Sequence, residues 1–309
     1  MEFDKFRSTG LGASALTPEC SEVQDGLRER RALLRLLAVL AVMTFGLIAL
    51  GGLTRTMGAG LSCPDWPLCY GQILPHWDPY IFLEWFHRLI ATLLGFGTIG
   101  LLALSWRWRA VLPRWVPAFA VGALALVVFQ GILGKLTVTE SLHYLIVTGH
   151  LGMGTLFFGT LIAALAALSP PPANARPIVG RVGALAALVL YGQILLGGLV
   201  STQWALNQCL AGSVLCHVLN SHLFGVVPAS LAVIATAVLA WRGGLKNIGL
   251  TLGGLLAAQI ALGVTTYYLK LSVVSLTVAH LVVGVALFGV LVWLAVNATP
   301  RPSVGRSTL

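Results

Sequence analysis

Eight runs of roughly 20 apolar residues divide the chain, with short polar gaps between them. They lie at about 33–54, 81–105, 115–137, 142–168, 178–200, 216–240, 247–268 and 272–296. Each is long enough to cross the hydrocarbon core of a bilayer as a helix. The pattern predicts an all-α integral membrane protein with eight transmembrane helices. Residues 1–32 are polar and carry both Arg and Glu, which reads as a cytoplasmic tail and not as a cleavable signal. Residues 298–309 read as a second tail.

The apolar runs also repeat. Gln130-Gly131-Ile132-Leu133-Gly134 recurs as Gln193-Ile194-Leu195-Leu196-Gly197 and as Gln259-Ile260-Ala261-Leu262-Gly263, and Leu50-Gly51-Gly52-Leu53 matches Leu196-Gly197-Gly198-Leu199. Each motif ends an odd-numbered span, and each following even span opens with a histidine: His87, His150, His222 and His280. The simplest parse is two four-helix halves, 33–170 and 178–297, joined by a linker at 171–177 that continues the Pro-rich stretch Ser169-Pro170-Pro171-Pro172. Because four is even, both halves enter the membrane from the same side. The expected relation is a pseudo-two-fold axis along the membrane normal, a parallel 4+4 repeat.

Composition reinforces the bilayer as solvent. The 309 residues are 57% apolar and only 9% charged, against about a quarter charged in soluble domains. The net charge of +9 would suit nucleic acid if it were clustered, but the basic residues punctuate the gaps between spans. They act as topology signals. Arg28, Arg30, Arg31, Arg35, Arg107, Arg109, Arg114, Arg176, Arg181, Arg242, Lys246, Arg301 and Arg306 fall on one side, and only Arg55, Arg88, Lys135 and Lys270 on the other. Both termini are therefore expected to be cytoplasmic. No organelle-targeting segment is evident, which points to the inner (plasma) membrane of a prokaryote.

The four histidines carry the chemistry. All even spans run in one direction, so the four rings sit at one depth, near the outer leaflet. A lone intramembrane histidine is usually a hydrogen-bonding group between helices. Four at one level in a repeating frame point instead to ligands, two per half, for the axial positions of a haem iron. Two pairs imply two haem positions.

The halves differ at one place. Glu84 precedes His87 by one helical turn, whereas Val147, Leu219 and Thr277 hold the matching positions. A carboxylate there can relay protons or stabilise positive charge at an oxidised carbon; the alternative is an interfacial Glu paired with Arg88 or Arg55. The asymmetry suggests reaction in the first half and an electron-carrying haem in the second. Arg55 and Arg88 are candidates for pairing with haem propionates, while Lys135 and Lys270 read as snorkelling side chains.

Cys63 and Cys69 share one outer gap, and Cys209 and Cys216 another. Such pairs suit disulfides in an oxidising compartment. A zinc site would want closer spacing, and a thiol relay at Cys63 and Cys69 is the sharper alternative. His76, His143 and His217 lack the repeating frame and are expected at the surface.

The stretch Gly51-Gly52-Leu53-Thr54-Arg55-Thr56-Met57-Gly58-Ala59-Gly60-Leu61-Ser62-Cys63-Pro64-Asp65-Trp66-Pro67-Leu68-Cys69-Tyr70-Gly71 closely resembles the first outer loop of heme A synthases. Glu84-Trp85-Phe86-His87-Arg88 resembles that family's acid-plus-histidine motif, and the likeness extends over about 33–297. It implies an eight-helix oxidoreductase that converts the C8 methyl of haem O to a formyl group, giving haem A for cytochrome oxidases. By the same resemblance His87 and His150 would bind the substrate haem, His222 and His280 would ligate a haem B cofactor, and Glu84 would be the catalytic acid. The cysteine pairs resemble those of the family's cysteine-containing bacterial branch. Ala59 departs from a common Ser.

The partners implied are haem O, the haem O synthase that supplies it, membrane lipid and an electron donor or acceptor. A homo-oligomer is compatible with the sequence. Two rivals remain at this level. A dihaem cytochrome b would carry electrons without modifying haem. A transporter would show broken helices and a central polar site.

Overall fold

The structure, a computed structural model, describes residues 18–174, 176–202 and 214–299. Its elements are α1 (Pro18–Thr56), α2 (Pro79–Arg107), α3 (Trp115–Thr139), α4 (Tyr144–Leu168), α5 (Pro177–Thr202), α6 (Val214–Arg242), α7 (Lys246–Tyr268) and α8 (Val274–Asn297). All eight are long and apolar enough to cross a membrane, so this is a multi-pass membrane protein. The expected spans agree with the helices except at the start. Helix α1 begins at Pro18, inside the segment read as a tail, although its membrane-crossing part runs from Gly26 to Thr56. Glu and Arg are good helix formers, so polar sequence continues the same cylinder beyond the apolar run.

Local chemistry sets the helix ends. The Asp78 carboxylate accepts from the N–H groups of Tyr80 and Ile81, and Pro79 occupies the first turn of α2, where its missing N–H costs nothing. The turns before α4 and α8 share one design. Leu142 N–H bonds to Thr137 O at 2.8 Å, and Leu271 N–H to Thr266 O at 3.0 Å. Two consecutive residues take left-handed φ in each: Ser141 and Leu142 in one turn, Lys270 and Leu271 in the other. Both turns close helices with the C-terminal bond that satisfies orphan carbonyls.

Helices α1, α2, α3 and α4 pack as a ring, each against the next and α4 back on α1; α5 to α8 do the same. Between the rings, α4 meets α8 and α5, and α1 meets α8. Exchanging α1–α4 with α5–α8 leaves this list of neighbours unchanged.

The inter-ring seam is apolar and close-packed. Phe157, Leu161, Leu287 and Leu291 are fully buried there. A Cβ on Gly159 would lie 2.8 Å from Phe288 Cε1, and one on Gly289 would lie 2.9 Å from Phe158 Cε1. Each phenyl ring thus fills a notch left by the opposite helix's glycine, the small-residue packing that lets helix backbones approach without help from water. Asn297 Nδ2 donates to Ala166 O at 3.1 Å, and Arg30 Nη2 to Leu168 O at 2.5 Å, which ties α8 and α1 to the end of α4.

Candidate functional site

Each ring of helices encloses a cavity, and the first lies beneath the loop that joins α1 to α2. The first, about 360 Å³, is lined by Glu84, His87, Arg88, Gln130 and His150. The second, about 460 Å³, is lined by Gln193, His222, Gln259 and His280. Both fall in the size range of small-molecule and cofactor sites. The structure therefore brings together the histidine pairs that the sequence groups, His87 with His150 and His222 with His280.

The sequence repeat explains how the rings are placed. On the neighbouring odd helix a glycine faces each imidazole: a Cβ on Gly51, Gly134, Gly197 or Gly263 would lie 2.9, 3.3, 3.1 or 2.9 Å from Cε1 of His87, His150, His222 or His280. The absence of a side chain leaves room for the ring, with least to spare at Gly51 and Gly263. Gln130 Nε2 donates to His150 O at 2.9 Å and Gln193 Nε2 to His222 O at 3.0 Å, while Gln259 Nε2 lies 3.3 Å from His280 Nε2. The sequence repeat contains these glutamines without revealing this reach, which depends on how the helices are rotated.

Nδ1 of all four histidines and Oε1 of the three glutamines are buried without a hydrogen-bond partner. Such orphaned polar atoms are uncommon and call for an explanation. Among the described residues no cluster of three or more His, Cys, Asp and Glu could cage a metal ion. What each cavity offers is two imidazoles in an apolar wall. That donor set fits a flat macrocycle whose metal needs two axial ligands, and does not fit a bare ion.

Glu84 occupies the first cavity's wall and is itself buried, at 4% exposure. One carboxylate oxygen accepts from Cys63 N–H at 2.8 Å and the other from Arg88 Nη2 at 2.6 Å. The Arg88 guanidinium also donates to the carbonyls of Asp65 and Leu68, both at 2.6 Å, and Cys63, at 3.2 Å. Of the two partners considered for Glu84, Arg88 is the one observed. These bonds fasten the α1–α2 loop onto α2 and commit the guanidinium offered as a propionate contact to loop carbonyls and Glu84. Arg55 behaves differently. Its Nη1 donates to Ser201 Oγ at 2.5 Å.

The loop itself is cross-linked. Cys63 and Cys69 form a disulfide with Cα atoms 4.8 Å apart, and both are buried. The two sulfurs bond each other, which removes the zinc alternative for this pair. Asp65 accepts from the N–H groups of Tyr70 and Gly71 at 2.6 and 2.8 Å. Those bonds, that of Gly71 first, hold its carboxyl below the usual range, with the Arg88 charge adding to them. Cys216 is disulfide-bonded; Cys209 lies outside the described residues. His76, His143 and His217 are exposed, as their lack of a repeating frame implies. Lys135 Nζ lies 5.9 Å from the Trp66 ring centroid, in keeping with an interfacial role.

A family model described as "Cytochrome oxidase assembly protein" (COX15-CtaA) matches residues 34–81 and 77–216. A heme A synthase of Shewanella oneidensis is 30% identical, the match covering 81% of this chain and 89% of that protein. One of Rhodospirillum centenum is 28% identical over 83% of this chain and 86% of its own length. A protoheme IX farnesyltransferase of Halobacterium salinarum is 33% identical over 42% of this chain and 28% of its own length.

Proposed function

Because the chain belongs to the cytochrome oxidase assembly protein family, we propose that it is a heme A synthase, a membrane oxidoreductase that converts haem O to haem A. The observation that carries this reading is the pairing of two imidazoles in each of two cavities, with a carboxylate in only one of them. Two equivalent haem sites would suffice for carrying electrons. A reactive carbon needs something more on one side.

On this reading His87 and His150 hold the substrate haem O in the first half (33–170). His222 and His280 hold a haem B in the second half (178–297), and the two halves form a parallel repeat. The reciprocal neighbour list of the helices and the matched turns before α4 and α8 support that repeat. When bound, the resident haem supplies one-electron chemistry. The rest falls to the protein. The apolar walls around the paired imidazoles exclude bulk water and fix the macrocycle's orientation. Glu84, in the wall of the first cavity, would accept protons released from the methyl carbon, and its two charge-assisted bonds hold the carboxylate in one orientation.

Turning the C8 methyl into a formyl group is a four-electron oxidation of that carbon that also brings in one oxygen atom, so an oxygen source, water or dioxygen, and an electron acceptor or donor are required partners. The other proposed partner is the haem O synthase, and the farnesyltransferase with a stretch similar to this chain supports a link to the enzyme that makes the substrate. The distribution of Lys and Arg supports an orientation with both termini in the cytoplasm, and the membrane on this reading is the plasma membrane.

Purified protein is incubated with haem O and a redox partner, and the extracted haems are analysed by mass. The expected product has gained one oxygen and lost two hydrogens. If bound haem O is never oxidised with any donor or acceptor, the protein is a dihaem electron carrier instead.

A further inference from the structure

Arg55 lies in the walls of both cavities, and among the described residues it is the only charged side chain that they share. It closes α1 just beyond the Leu50-Gly51-Gly52-Leu53 motif, and Ser201 holds the same place beyond Leu196-Gly197-Gly198-Leu199 on α5. The two equivalent positions meet across the halves through the Arg55 Nη1 bond to Ser201 Oγ. That hydroxyl is neutral. Among the described residues no carboxylate lies within ion-pair distance of Arg55, whereas Arg88 has Glu84.

A guanidinium in an apolar wall is costly unless an anion reaches it. Arg carries five N–H donors in a planar fork that matches a carboxylate, and one of them is accounted for by Ser201. The second cavity has no other Arg or Lys in its wall among the described residues. Among the described residues, a carboxylate entering it finds a counter-charge in the wall only at Arg55.

We propose that Arg55 is a shared anchor: one guanidinium that receives carboxylate arms of the porphyrins in both cavities. Ser201, small and uncharged, gives it passage to the second half. The inference rests on the haem reading above and adds to it a residue that determines selection for porphyrin carboxylates on both sides.

The test uses the full chain stripped of haem, titrated with ferric protoporphyrin IX and with its dimethyl ester, which lacks the free carboxylates. His222→Ala isolates the first cavity and His87→Ala the second, and binding is read from Soret absorbance. In each background the ester should bind about tenfold or more weakly than the free acid, the scale of a charge-assisted bond. Arg55→Gln should lower affinity for the acid to that of the ester in both cavities and leave the ester unaffected. Arg55→Lys, which keeps the charge but not the fork, should fall between.

If only one cavity discriminates acid from ester, sharing is overturned. If neither does, Arg55 is a structural tie to Ser201 and the proposal fails; the acid-against-ester comparison needs no Arg55 variant, so misfolding of such a variant cannot obscure it. Absence of porphyrin binding in the unsubstituted chain overturns the haem reading itself, and this inference with it.

Discussion

The side-chain amide of Gln193 donates to the main-chain carbonyl of His222 across 3.0 Å. Gln130 repeats the contact with His150 at 2.9 Å. Each glutamine stands one turn before the glycine that faces the imidazole, so bracing and clearance come from one helix face. On α1 the corresponding residue, one turn before Gly51, is Leu47. His87 therefore stands without an amide brace on the neighbouring helix.

Gln193→Leu should loosen the second cavity without emptying it. An interhelical hydrogen bond inside a membrane is worth about 0.6 kcal/mol, so haem retention should fall roughly threefold. Timed transfer of haem to an acceptor protein measures this. An unchanged rate would mean that the amide does not support the His222 segment.

Gly51→Ala and Gly197→Ala should act on opposite halves. The new methyl would meet His87 Cε1 at 2.9 Å, closer than Cβ atoms approach, so that ring must shift, or His222 Cε1 at 3.1 Å, where the ring must give by a few tenths of an ångström. Gly51→Ala should abolish product while preserving the resident haem's absorbance. Gly197→Ala should diminish that absorbance.

The histidines themselves separate the two sites more sharply. In reduced-minus-oxidised spectra of the purified chain, His222→Ala or His280→Ala should remove the low-spin signal. His87→Ala or His150→Ala should spare it while eliminating haem A. Loss of the signal from all four variants alike would contradict the division into substrate and resident sites.

Glu84 holds two positions at once, in a cavity wall and in the clamp on the disulfide loop. Glu84→Ala leaves Arg88 without its carboxylate and should destabilise the protein by about 3 kcal/mol, visible as a lower thermal midpoint. Glu84→Gln can retain the Cys63 N–H contact and should cost less stability. If it nevertheless abolishes product, the carboxylate acts on protons and not merely on the loop.

The Asp65 carboxyl is held below its ordinary value by the N–H groups of Gly71 and Tyr70 and by Arg88. A depressed folded value means that its contribution to loop stability is full above the unfolded value, about 3.9, and disappears as pH falls through the folded one. Protection of the Cys63–Cys69 disulfide from an acid-tolerant phosphine reductant should be flat from neutral pH to about 5, then fall in that acid range. Asp65→Asn should remove the acid step and speed reduction at neutral pH.

The sequence by itself determined the eight spans, because the length of an apolar run is a property of one segment and the bilayer sets the length required. It also predicted one shared level for the four histidines, since helices joined by short loops alternate direction and every second one carries its ring. What only the tertiary structure decided depends on how each helix is rotated and how far a side chain reaches. In sequence, either Arg88 or Arg55 could be the partner of Glu84. Packing makes Arg88 and Glu84 partners on one face of α2 and sends Arg55 across the seam to Ser201. The choice between disulfide and zinc at Cys63 and Cys69 was likewise closed only by the loop's fold, because spacing restricts which sulfurs can meet without saying that they do.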